Sequence, residues 1–147
     1  MSHSGGAPPY ESGWWNVPVR QPYNNATNYR TDTFAQPGRG SDAEPGSLSG
    51  ADVLAAAVAD ELVDSPNADN SHPEEGHLVA LVVDPGRDFH WYRKGRDGAW
   101  SHKPGSTAVS NVDNAGAAIG DPRTADRGPY TEFCTFMIVM YGHIKIS

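Results

Sequence analysis

Between Asp88 and Gly105 the chain reads DFHWYRKGRDGAWSHKPG, which holds two histidines, two tryptophans, a tyrosine, two aspartates and four basic residues. His90 and His102 lie within it, and His77 lies just upstream. The three imidazoles fall on three segments that read as successive strands, so antiparallel pairing is expected to bring them to one face. An imidazole beside a carboxylate such as Asp88 and a nucleophile is the core of thiol and serine hydrolases. The same three rings are also a donor set for zinc. No fixed motif such as H-E-x-x-H accompanies them, and half-buried sheet histidines give the same spacing, so the expectation is no metal and no cofactor. The nucleophiles are weaker. Cys134 lies in an apolar run with Phe133 and Phe136, the setting of an inert small hydrophobe. Ser101 adjoins His102 without a G-x-S-x-G elbow. Gly95, Gly98 and Gly105 are spaced as turn glycines, not as a phosphate loop.

The elements that must position these residues follow from patterning. HLVALVVD (77–84) is an apolar, β-branched run of buried-strand length. DPGR (84–87) reads as a turn. DFHWYRK (88–94) alternates, with Asp88, His90 and Tyr92 facing one way and Phe89, Trp91 and Arg93 the other. GRDG (95–98) is a second turn and AWSHK (99–103) a third strand. Residues 104–129 read as a long loop with short strands around Val109 and Ile119, and YTEFCTFMIVMYGHIKIS (130–147) as one or two closing strands. One helix is predicted over about 50–63, capped by Ser49 with Asp52 three residues on and stopped by Pro66. Its Leu54, Val58 and Leu62 form an apolar stripe expected to face the sheet. Residues 64–75 read as an acidic loop. The fold class is therefore α+β, a small antiparallel sheet with one main helix. An extended Gly/Pro/aromatic-rich arm (1–48) precedes the α+β domain (49–147).

The arm has almost no aliphatic residues, yet it carries Tyr10, Trp14, Trp15, Tyr23, Tyr29 and Phe34. Disordered tails are usually poor in aromatics. Rings spaced along a proline-punctuated strand suit docking on another protein surface, so these six are the expected assembly contacts. The 147 residues carry a formal charge of −7, which disfavours nucleic acid as a partner, although residues 87–103 hold five basic side chains against two acidic ones. One cysteine allows no internal disulfide. No apolar run approaches the roughly 18 residues of a membrane span, and MSHSGGAPPY lacks the basic and apolar segments of a secretory signal, so a soluble chain in a cytoplasm or a virion is expected.

The run GHLVALVVDPGRDFHWYRKGRDGAWSHKPGSTAVSNVDNAG, with DPRTADRGPYTEFC, PYNNATNYRTDTFAQPGRG and ADVLAAAVADELV, resembles a family of small bacterial and phage proteins with a papain-like Cys/His pair. The resemblance covers roughly residues 22–135. It implies a cysteine nucleophile just before YNNATN, where this chain has Pro22. It also implies His77 as the paired imidazole and His90 or Asp88 as its orienting partner. The resulting expectation is a non-enzymatic structural or interaction protein, a component of a phage particle or similar large assembly, with a degenerate thiol-hydrolase-like domain and other protein subunits as partners. The alternative is a peptidase or amidase using the His77/His90/His102 cluster. A third reading makes Trp91 and Trp100 a stacking surface for sugars or peptides.

Overall fold

The computed structural model describes residues 8, 22–27, 37–38, 45–74, 76–103 and 110–140. They form two helices, α1 (Pro22–Thr27) and α2 (Gly50–Ala59), and five strands: β1 (Val63–Asp64), β2 (His77–Asp84), β3 (Asp88–Lys94), β4 (Trp100–His102) and β5 (Glu132–Val139). The strands make one antiparallel sheet in the order β1-β5-β2-β3-β4. The α+β class with its antiparallel sheet is as the sequence reads.

β2 is the centre of the sheet. Its Val79, Leu81 and Val83 face a core shared with Tyr23, Ala26, Val53, Ala57, Leu62, Trp91, Met137 and Val139. Its Leu78, Ala80 and Val82 face a second core with Tyr92, Trp100, Ile119 and Phe136. The helices cover the first face, and the 110–130 segment covers the second. Burial on both sides explains why HLVALVVD is a continuous apolar run and not an alternating one. The turn into β3 places Pro85 and Gly86 at its two central positions, closed by a bond from the Arg87 amide to the Asp84 carbonyl at 2.9 Å. Gly86 has φ of 76°, a conformation that L side chains rarely adopt. The alternation in β3 is as expected: Val82 pairs with His90, Ala80 with Tyr92 and Leu81 with Trp91.

The helix is shorter than predicted and turned differently. Ser49 is its N-cap and accepts from the Asp52 amide at 3.2 Å, but the helix ends at Ala59, with Asp60 as C-cap. Its buried positions are Gly50, Val53, Ala56 and Ala57. Val58, expected on the buried stripe, is 46% exposed, whereas Leu62 is buried beyond the helix end and Leu54 packs at the core's margin. Small residues on the inner face let the helix lie close to the sheet. A Cβ added at Gly50 would approach Cys134 Sγ to 3.0 Å.

Three further elements differ from the sequence reading. β1 lies where the end of the helix and the start of an acidic loop were expected, and it extends the sheet as an edge beyond β5. α1 lies within the segment expected to be extended, and Tyr23 and Ala26 on it belong to the first core. Residues near both ends of the arm also bond to the domain: the Pro8 carbonyl accepts from Arg96, and the Gly38 amide donates to Asp60. Around Ile119 there is no strand but an isolated bridge between Val112 and Ala118, and a second bridge joins His102 to Ser110. The strand expected around Val109 and the end of the closing segment, 141–147, lie outside the described residues.

Candidate functional site

The sheet register separates the three histidines. His90 on β3 and His102 on β4 point to the face covered by the 110–130 segment. Tyr92, the residue paired with His102, packs against both rings. His90 Nε2 and His102 Nδ1 are 2.7 Å apart, and His102 Nε2 bonds the Val112 carbonyl at 3.1 Å. A carbonyl only accepts, so Nε2 of His102 carries its proton and Nδ1 accepts from Nε2–H of His90. This chain leaves Nδ1 of His90 as an unprotonated acceptor. His77 has the parity of Val79 and points to the other face, where its ring bonds the Ala26 carbonyl of α1. The expectation of one three-histidine cluster is corrected on that geometry.

Both shared-face rings are neutral. Burial, with the neighbouring His102 adding to it, pushes His90 down to about 3. Burial lowers His102 against the opposing pull of the Val112 carbonyl and Asp113. His77 is pushed down to about 4 by its complete burial. Asp88, expected to orient a histidine, accepts instead from the Tyr130 hydroxyl at 2.9 Å. Tyr130 stacks on His90 with ring centroids 5.2 Å apart and 23° between planes. Burial is the main cause of the raised Tyr130 pKa, and the Asp88 bond adds to it.

No nucleophile joins this group. Cys134 packs against the helix-covered core, at the bulge opposite Leu81 and Val82, while His77 pairs with Val139. Five residues of strand, roughly 16 Å, separate the two positions. Burial raises the thiol's pKa, and Glu132 and Asp64 raise it further. Ser101 pairs with Arg93 and so points away from the face that His102 occupies. Trp91 lies under α1, 5.2 Å from the Tyr23 ring, and Trp100 donates to Asn70 Oδ1 at 2.8 Å. Both are fully buried, so neither offers a stacking surface. Tyr23 docks within its own chain, while Tyr10, Trp14, Trp15, Tyr29 and Phe34 lie outside the described residues. Among the described residues no three His, Cys, Asp or Glu side chains are grouped to hold a metal ion, and no helix is long and apolar enough to cross a membrane.

What the shared face does hold is a cavity of about 320 Å³ between the sheet and the 110–130 segment. His90, Tyr92 and His102 form its floor, with Asp113, Asp126, Arg127 and Tyr130 among its walls. Asp113 ties the segment together, accepting from the amides of Ala115 at 2.9 Å, Ala117 at 3.0 Å and Asp126 at 3.1 Å. Those bonds hold its carboxyl below the usual range. The sequence reading passed over the wall residues, because a Gly/Asp-rich segment without periodicity reads as plain loop. The available signal was local: Asp113-Asn-Ala-Gly and Asp126-Arg-Gly are spacings at which an aspartate bonds the backbone two residues on.

The fold is a small α+β domain with a cavity over two buried, hydrogen-bonded histidines, and Cys134 packs on the opposite face of the sheet. The chain is 46% identical over 125 residues to insoluble matrix shell protein 1 of the clam Ruditapes philippinarum, a match covering 81% of each chain. It therefore belongs to the insoluble matrix shell protein 1 family. No family model matches the chain, and no solved structure matches it significantly. This relationship corrects the resemblance drawn from the sequence. The bacterial and phage thiol-hydrolase family, the phage-particle component, the hydrolase alternative and the placement in a virion or cytoplasm are all overturned by a relative of the shell matrix.

Proposed function

We propose that this chain is a structural protein of an insoluble extracellular matrix, associating with other protein subunits and catalysing no reaction. The observation that carries the reading is the 46% identity, over four-fifths of both chains, to a protein named for the insoluble matrix of a shell. Two features of the molecule agree with it. The residues of catalytic type, His77, His90, Cys134 and Ser101, are dispersed over the two faces of the sheet. The sheet is also packed on both sides, which suits a durable building unit. The test is sequential extraction of the tissue that produces the protein, with salt, then dilute acid, then strong denaturant, followed by immunodetection. The protein is expected in the residue that salt and acid leave behind, released only by denaturant. Recovery in the salt-soluble cytosolic fraction overturns the reading.

A further inference from the structure

We propose that the cavity over His90, Tyr92 and Tyr130 is a binding site for a small organic cation carrying a primary ammonium group. Four features select that chemistry. First, the cavity of about 320 Å³ is within the size range of small-molecule sites. Second, its charged groups leave it anionic toward a ligand. Asp113 and Asp126 line it, and Asp126 uses one carboxylate oxygen on the Gly128 amide at 3.0 Å. Arg127, the cation in the wall, has four of its five N–H groups on the carbonyls of Tyr130, Pro122, Arg123 and Thr131 at 2.8–3.1 Å, so it is a strut for the loop and not an anion clamp.

Third, the floor is rich in acceptors. The fixed tautomer of the histidine pair presents Nδ1 of His90 as an acceptor, and neither ring adds positive charge. Fourth, Tyr92 lines the cavity although the residue is only 2% exposed, and its hydroxyl, without a hydrogen-bond partner among the described residues, is open to the cavity. A hydroxyl at a cavity wall is free to exchange water for a polar group of a ligand. An ammonium group offers three donors to the carboxylate and phenol oxygens that line the cavity, and the aromatic ring of Tyr130 favours a cation beside it. An anion would meet two carboxylates and no free guanidinium, so that chemistry is disfavoured.

The experiment is amide NMR on the full chain, titrated with propylammonium chloride. Propanol, sodium propionate and calcium chloride at matched ionic strength serve as parallel arms. Propylammonium is expected to give saturable shifts at Ala115, Ala117 and Gly128, whose amides bond the two carboxylates. Tyr92→Phe and Asp126→Asn are each expected to weaken it about tenfold, the scale of one lost hydrogen bond to a charged group. Tyr92→Phe removes one hydroxyl from a packed ring, and Asp126→Asn keeps the oxygen that Gly128 needs, so both variants are expected to remain folded, as their amide spectra will report. Equal response to propanol, a saturable response to calcium or propionate alone, or propylammonium shifts untouched by both substitutions overturns the proposal. The matrix reading is unaffected by any of these outcomes, since it rests on the relationship of the whole chain.

Discussion

At the scale of the residue, the histidines are the informative case, because a single residue of turn length decides which face they occupy. The three residues 85–87 between Asp84 and Asp88 put His77 in register parity with Trp91 and Arg93. A two-residue loop would have given it the parity of His90, and the expected cluster would have formed. The types and alternation of the site residues in β3 were thus legible in the sequence, but their grouping was not. It depends on turn geometry and on a loop whose aspartates act through backbone bonds. The burial of these rings has a consequence for acid stability. His77 and His90 have folded pKa values of about 4 and about 3, below the ordinary 6.5, so they stay neutral in the fold while the unfolded chain takes up protons as pH falls. Stability from this source is fully present above pH 6.5 and is lost as pH falls from 6.5 toward 4, at about 1.4 kcal/mol per pH unit for each ring once the unfolded histidine is protonated. Urea denaturation at pH 7, 6, 5.5 and 5 measures it. His77→Gln is expected to flatten the slope by about one ring's share, even though it lowers stability at pH 7. An unchanged slope in that variant would mean that the folded protein protonates His77 with ease.

Among the elements, the strands were read well and the helix less so. β2 and β3 announce themselves because continuous apolar character and strict alternation have no other compact explanation, and both were placed to the residue. β1 was missed because two residues, Val63 and Asp64, carry no period. The helix's capping residue was legible, but its buried face was not, for a physical reason. Pattern reasoning takes the largest apolar side chains as the inner stripe, whereas the helix here approaches the sheet closely and needs the small ones inside. Ala56 and Ala57 are buried, and Val58 is turned outward. The stripe through Leu54, Val58 and Leu62 also assumed a helix four residues longer, to 63 instead of Ala59. Leu62, past its end, enters the core through the bond from its amide to the Ala57 carbonyl at 3.1 Å. Leu62→Ala is accordingly expected to cost about 2–5 kcal/mol, the range for deleting a buried leucine. Val58→Ala is expected to stay within about 0.5 kcal/mol, as surface substitutions do. Comparable losses in the two variants, measured by urea denaturation at pH 7, would restore the original stripe.

For the whole molecule the question is how a chain with a formal charge of −7 comes to belong with an insoluble matrix protein. Net charge of one sign opposes self-association at low ionic strength. The described domain offers little to overcome it. Its exposed large apolar side chains are Val58, Val63 and Val112, too few for an associating patch. Its sheet edges, β1 and β4, are two and three residues long, which is too short to template strand addition. For the proposed matrix role the attraction is expected from elsewhere in the chain, and the first 48 residues are where the sequence concentrates aromatics. Tyr23 is spent on the domain's own core against Trp91; Tyr10, Trp14, Trp15, Tyr29 and Phe34, outside the described residues, are the proposed contacts with other subunits. Replacing Trp14 and Trp15 together by serine is expected to lower the sedimentable fraction of the purified protein several-fold, with thermal unfolding followed in parallel to report whether the fold is kept. Raising the salt concentration to about 0.5 M, where charges are screened within a few ångströms, is expected to increase sedimentation of the parent chain and to do so much less in the variant. If the variant pellets as the parent does at both salt concentrations, the tryptophans are not the contact, and association runs through the folded domain.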